Sequence, residues 1–441
     1  MRKPASLLSG TWTSIVSSIA RAVDLEATAR EFKALRRKRK IRTAEALLRL
    51  ALMWGPGRQS FREAAALAGD AGIAELSDKA VEGRLRKMGD WLEHIVAMLL
   101  TQRLGSPALA SGDTLALSLV DGSVICAPGQ GQDWRLHARY DPGRGRFADL
   151  VLTTTREAEA ASRTRICPGH TLIMDRGYAR VRNFKAVLAG GADFITRVSW
   201  GSVKLYDAEG ARVDLTALLA DTTETREVPV WIKGIACAPR LVIQPLPAEA
   251  AERQRARRMR KANKNSRKIN PRTLQAAGFL MLLTSLTADA QPAERVAALY
   301  RDRWQVEIGF KRLKTLGRLD ELPSADPVLA RTWLLAHLIA AVLTDDLANE
   351  IVGFPPSARR AHTSAAIDLA RLGEGETDPD QHNSSQAPTT HTRRAREVSS
   401  KARRGTQTKD TPGVPTQTTV NSRVWGSALG TIHFGGGSRG G

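Results

Sequence analysis

The sequence predicts an α/β fold: a mixed-sheet core, preceded by an all-helical segment and interrupted by a β-rich insertion. Three observations carry this. Up to about residue 105 the apolar positions recur at helical spacing. From residue 114 strand-like runs alternate with a helical one, the pattern of an α/β unit. Between residues 201 and 275 strand-like runs follow one another with turn residues between them. The predicted organisation is a helical segment over 1–110, a core in two parts over 111–200 and 276–352, the insertion over 201–275, and a tail over 353–441.

Taken in order, residues 25–105 read as helical throughout. LRRKRKIRTAEALLRLALMW holds six basic residues among the seven of 36–42, followed by an apolar stripe. SFREAAALAG follows, with Ser60 as N-cap and Gly69 as stop, then LSDKAVEGRLRKMGDWLEHIVAMLL with Ser77 as N-cap. Short basic helices joined by brief turns suit a DNA-binding module; a plain packing domain with solvated arginines is the other reading. In the core, TLALSLVDGSVI is an apolar strand with turn residues after its acid, and RLHARYD and FADLVLTTT flank the hairpin turn DPGRGR. HTLIMDRGYA is a second strand ending in an acid, NFKAVLAGGA a helix stopped by its glycine pair, and DFITRVSW a further strand. The insertion contributes KLYDAEGARVDL, REVPVWIKG and PRLVIQPL as strands, and residues 253–272 as a loop with ten basic residues and no acid. FLMLLTSL resumes the core, and TWLLAHLIAAVLTDDLA is an apolar helix. Beyond residue 353 hydrophobicity is too low to offset ordering entropy, which predicts a disordered polar tail.

Composition narrows the partner. The 441 residues hold 66 Lys and Arg against 45 acids, a net charge of +21, and 42% are hydrophobic, enough for a real core. An excess of this size calls for a polyanion or an anionic membrane, and no apolar run approaches the ~20 residues of a membrane span. Nucleic acid is favoured, since neutralised phosphates release counterions. Cys126, Cys167 and Cys237 are far apart and lack zinc spacing, as free thiols in a reducing cytoplasm would be.

Three acids stand out. Asp121 and Asp175 each follow an apolar strand, where a carboxylate is costly without compensation; taken singly, Asp121-Gly122 also reads as a turn and Asp175 as a capping or salt-bridging acid. Paired carboxylates on adjacent strands can hold hard divalent cations. The third is Glu307 in ALYRDRWQVEIGFKRLKTL, residues 298–316. With this stretch as one helix and Tyr300 at zero, Arg303, Glu307 and Lys314 fall at about −60°, −20° and −40°. That polar stripe lies between Leu299, Val306, Phe310 and Leu313 on one side and Trp304 and Ile308 on the other, while Arg301, Asp302, Gln305 and Arg312 lie opposite. Glu307 has Arg303 at i−4 and Lys311 at i+4, spacing that suits ion pairing. Charge framed by apolar flanks favours a polar cleft over a surface helix.

Tyr300, Arg303, Glu307 and Lys314 spell Y-x2-R-x3-E-x6-K, and the chain here resembles bacterial insertion-sequence transposases of the DDE class. Asp121 in VDGS resembles the first acid of their triad and Asp175 in MDRGY the second; the likeness covers roughly residues 30–350. It implies a ribonuclease H-like core in which Asp121, Asp175 and Glu307 are the catalytic residues and bind two Mg²⁺ ions, with Mn²⁺ as a substitute. It further implies phosphate contacts from Tyr300, Arg303 and Lys314, with Arg176 and Lys311 beside them. The function implied is cut-and-paste transposition of the chain's own element in a bacterial cytoplasm, at the nucleoid and away from membranes. The partners would be double-stranded DNA at inverted repeats, target DNA and a second copy in the synaptic complex. The polar tail departs from the structured stretch of such transposases. That departure keeps open a decayed chain that only binds element ends, and the core alone would also serve a general nuclease.

Overall fold

The computed structural model describes residues 4–104 and 115–352, so the expected tail over 353–441 lies outside the described residues. The chain opens with six helices: α1 (Pro4–Ala20), α2 (Leu25–Glu31), α3 (Ala44–Trp54), α4 (Phe61–Asp70), α5 (Asp78–Leu85) and α6 (Gly89–Leu104). Side-chain caps set their starts. The Ser60 hydroxyl accepts from Glu63 N while Glu63 reaches back to Ser60 N, a capping box, and Ser77 accepts from Ala80 N. Gly69, the expected stop, falls just inside its helix, because α4 runs to Asp70 with Ala71 as C-cap. Helix is also not continuous from residue 25. Residues 32–43 are non-helical, and Arg36–Lys40 and Arg42 stand exposed on this connection, pinned by buried Leu35 and Ile41.

The core is one eight-stranded sheet in the order β3-β2-β1-β4-β5-β8-β7-β6. Its first strands are β1 (Leu117–Ile125), β2 (Trp134–Asp141) and β3 (Arg146–Thr154), an antiparallel meander. Then come β4 (Thr171–Met174), α7 (Val181–Ala189) and β5 (Asp193–Arg197), with β1, β4 and β5 parallel. After the insertion, β8 (Phe279–Thr284) returns antiparallel to β5. This mixed sheet with helices is the ribonuclease H-like core that the sequence predicts.

The insertion differs from the expectation in three ways. Residues 204–215 form no extended strand: Tyr206 makes only isolated bridges to Arg212 and Trp231, and Leu215–Ala220 is a helix, α8, capped by Asp214. The two strands that do form, β6 (Arg226–Pro229) and β7 (Arg240–Pro245), join the core sheet, because β7 pairs with the open edge of β8. The basic stretch is largely helical. Residues Ala248–Lys264 form α9 and Pro271–Ala276 form α10, since the alanines, arginines and lysines of 248–264 favour helix and Pro271 starts the next one.

Period-two alternation covers both faces of the sheet. Leu119, Ile173, Ile195, Val242 and Leu282 face one apolar cluster. Val120, Leu172, Phe194, Leu241 and Leu283 face the other, which takes in Phe184 and Val187 of α7. The first face is covered by the N-terminal helices together with α11 (Ala293–Arg301), α12 (Trp304–Lys311) and α13 (Pro327–Val352). Contrary to the expectation that no apolar run nears a membrane span, Pro327–Ala348 of α13 has the length and apolarity to cross one. It is mostly buried inside the protein, packed against α3, α6 and β3.

Candidate active site

Register places the two aspartates. The parallel ladder of β1 and β4 ends at Val120↔Met174, so Asp121 and Asp175 come next on adjacent strands. β1 does not end at its acid, as the turn residues after Asp121 suggest. It continues through Gly122 to Ile125, paired with β2 alone, so Asp121 is a mid-strand residue beyond the end of β4. It follows Leu119 by two and shares its face, the one covered by α11 and α12. Asp175 caps a short 3-10 helix, Arg176–Tyr178, its Oδ1 accepting from Gly177 N at 2.6 Å. Asp121 Oδ1 accepts from Gly122 N at 2.8 Å.

The segment that brings Glu307 in is not the single helix that the projection assumes. α11 ends at Arg301, α12 starts at Trp304, and a π-helical turn spans Arg312–Leu316. Across the break Gln305 N bonds Asp302 O and Val306 N bonds Arg303 O, i→i+3 contacts of a tighter winding. The buried flank is as expected, with Leu299, Val306, Phe310 and Leu313 all in the core. The other flank is open, Trp304 being 44% and Ile308 36% exposed. On the face opposite the stripe Arg312 is exposed, as expected in solvent, while Arg301 and Asp302, expected there too, are half-buried, as is Gln305.

Arg303 ties the site together. Its Nη1 donates to Asp121 Oδ2 at 3.4 Å and its Nη2 to Glu307 Oε1, with all three side chains less than a third exposed. Burial works against its charge, but Tyr300, Asp121 and Glu307 outweigh that and raise its pKa. Burial lifts the Asp121 carboxyl above the usual carboxylate range, with Arg303 opposing and Asp175 adding to the rise. Tyr300, expected at DNA, is 1% exposed and lies under the Arg303 guanidinium. Lys314 donates to Val124 O at 2.6 Å, fastening the π-helical turn to β1. Lys311 is exposed and Arg176 half-buried.

Sequence reasoning missed Glu159, in the turn after β3. A β-carbon added at Gly122 would lie 3.1 Å from its Oε1, and one added at Gly177 2.9 Å from its Oε2. No strand end or helical period marks it. Tyr178 is fully buried, and its hydroxyl has no hydrogen-bond partner among the described residues. Burial, then the charges of Asp121, Glu159 and Asp175, hold that hydroxyl well above its ordinary pKa.

An all-oxygen donor set around a buried carboxylate suits a hard divalent cation. Among the described residues, no three His, Cys, Asp or Glu side chains are gathered closely enough to hold one ion. The Arg303 guanidinium instead bridges Asp121 and Glu307 and neutralises both. The chemistry fits the metal, with an arginine serving as the cation of this arrangement.

A family model, the transposase DDE domain, matches residues 115–343. The putative transposase InsL for insertion sequence element IS186A of Escherichia coli K12 is 40% identical over 356 residues, 78% of this chain and 96% of its own. The transposase for element IS421 of Escherichia coli is 40% identical over 357 residues, with the same coverage. The transposase for element IS231F of Bacillus thuringiensis subsp. israelensis is 21% identical over 365 residues, 72% of this chain and 76% of its own.

Proposed function

The chain belongs to the DDE transposases of bacterial insertion sequences, and we propose that Asp121, Asp175 and Glu307 are the acids with which it cuts and joins DNA at its own element's ends. One observation carries the assignment. The β1–β4 ladder stops one residue short of both aspartates, where one Arg303 guanidinium bridges Asp121 to Glu307.

The three carboxylates would hold two Mg²⁺ ions, Mn²⁺ being an alternative. Such ions supply Lewis acidity, activating a water or 3′-hydroxyl nucleophile and neutralising the leaving oxygen. The protein's own part is positioning. Asp121 and Asp175 are fixed by backbone donors, and Lys314 keeps the π-helical turn on β1. Arg303 turns from the carboxylates to a phosphate once cation and DNA are bound, with Tyr300 as its floor. Arg176 and Lys311 flank the strand being cut. The exposed cations of 36–42 meet the terminal repeats, and those of α9 meet phosphates without regard to sequence. Joining two ends needs two copies in the synapse, and the work is done on DNA in the bacterial cytoplasm, at the nucleoid.

The test is strand cleavage on DNA carrying the element's ends. Asp121→Asn, Asp175→Asn and Glu307→Gln should each abolish cleavage while end binding in a gel-shift assay persists. Normal cleavage by any one of them would remove that residue from the triad. Cutting that ignores the terminal repeats would make the chain a general nuclease.

A further inference from the structure

A fourth carboxylate lies against the site, and nothing in the proposed mechanism uses it. Glu159 sits in the turn after β3, held on three sides: Arg135 Nη1 donates to Glu157 O at 2.7 Å, Arg182 Nη2 to Glu159 O at 3.3 Å, and Ala161 N to Asn183 Oδ1 at 3.1 Å. The turn is thus clamped to β2 and to α7, and its acid has a fixed place.

That place is between the two aspartates. The Glu159 Oε1 reaches toward Gly122, next to Asp121, while its Oε2 reaches over Gly177, on the 3-10 turn that Asp175 caps. A β-carbon at Gly177 would meet Glu159 Oε2 at 2.9 Å and Asp175 Oδ1 at 3.0 Å, so the two oxygens converge on one point. A side chain at 122 or 177 would push the Glu159 carboxylate back from this approach. The ion pair with Arg135, Nε to Oε1 at 3.8 Å, is beyond hydrogen-bond reach. An independent feature points to the same spot: the hydroxyl of Tyr178, buried and without a hydrogen-bond partner among the described residues, is within electrostatic reach of Asp121, Glu159 and Asp175. The three acids form no ready-made three-ligand cluster among the described residues, but carboxylates this near one another beside an unsatisfied polar group can share a divalent cation through its waters.

We propose that Glu159 is a fourth carboxylate of the metal-holding group, acting with Asp121 and Asp175. This rests on the proposed role of those two aspartates. The rival role is structural, with Glu159 serving only to hold Arg135 and the turn.

Mn²⁺ titrated into DNA-free, full-length protein, with free ion measured by electron paramagnetic resonance, separates these. Wild type is compared with Glu159→Gln, Asp175→Asn and Arg135→Gln. The expected result is about tenfold or greater loss of Mn²⁺ affinity in Glu159→Gln, as when groups supporting a metal are removed. Asp175→Asn should weaken binding too, and Arg135→Gln should leave it near wild type. Without metal, in a chelator, Glu159→Gln should melt no lower than wild type, since it relieves repulsion between acids. Wild-type Mn²⁺ affinity in Glu159→Gln, together with weakened binding in Asp175→Asn, would overturn the Glu159 assignment alone. Undiminished binding in Asp175→Asn would overturn the underlying site as well.

Discussion

Arg303 holds Asp121 and Glu307 with one guanidinium, so a cation bound by those acids competes with it for both. Replacing it by glutamine should have two opposite effects. Breaking one side of a buried ion pair destabilises, on the order of 3 kcal/mol where the remaining charge has no outlet, so Arg303→Gln should melt lower in chelator. Mn²⁺ should then raise its melting temperature by more than it raises that of wild type, because the competing arginine is gone. Cleavage should be lost, since the phosphate partner is lost with it. Equal Mn²⁺ shifts in the two proteins would show that Arg303 does not compete with the metal. At this scale the sequence was informative wherever an acid follows an apolar strand, as at Asp121 and Asp175, or sits four residues from a cation on a helix, as at Glu307. Glu159 lacked any such mark. Its position depends on Arg135, Arg182 and Asn183, which come from two other elements.

Elements were legible where periodicity is strong and ambiguous where propensity and context compete. The hairpin of β2 and β3, the buried strand β8 and the capped starts of α4 and α5 follow from local signals alone. The join between α11 and α12 does not, because helical residues occupy both sides of Asp302 and Arg303, and only the i→i+3 bonds reveal the tighter winding. The basic stretch after β7 shows the same limit, since its charge density suggests a solvated loop while its alanines and arginines form α9. The helix matters for function, because it sets cations at regular spacing along one element. Arg260 and Lys264, with Arg267 and Lys268 just beyond, are exposed. Replacing these four with glutamine should weaken binding equally to DNA with and without element ends. The slope of log K against log salt should become shallower by up to ~0.9 for each phosphate that is no longer neutralised. Titrations between low and moderate salt measure this, and an unchanged slope would remove α9 from the DNA surface.

On the scale of the whole molecule, the helices of residues 25–104 do not stand apart from the core. Their buried residues, the first face of the sheet and α13 form one continuous apolar cluster. The sequence suggested separable segments because its composition changes near residue 114, whereas burial against α13 is a long-range property that no local window contains. His337, in the middle of α13, makes this junction sensitive to pH. Its ring packs on Trp333, and Nδ1 lies 2.9 Å from the Trp333 carbonyl, so Nδ1 carries the proton of a neutral imidazole. Burial pushes its pKa down to about 4, with the Trp333 carbonyl opposing. The unfolded chain keeps a value near 6.5. Between those values the unfolded state binds the extra proton and the folded state does not. The stabilisation is therefore complete above about pH 6.5 and is lost as pH falls toward 4, a change on the order of 3 kcal/mol. His137, also buried with its pKa lowered to about 4 by burial, Arg135 and Arg163, adds in the same direction. Denaturant unfolding from pH 7 to pH 4.5 should show this decline, and His337→Gln should flatten it while lowering stability at pH 7. A decline of the same steepness in the variant would place the acid sensitivity elsewhere than at the α13 junction.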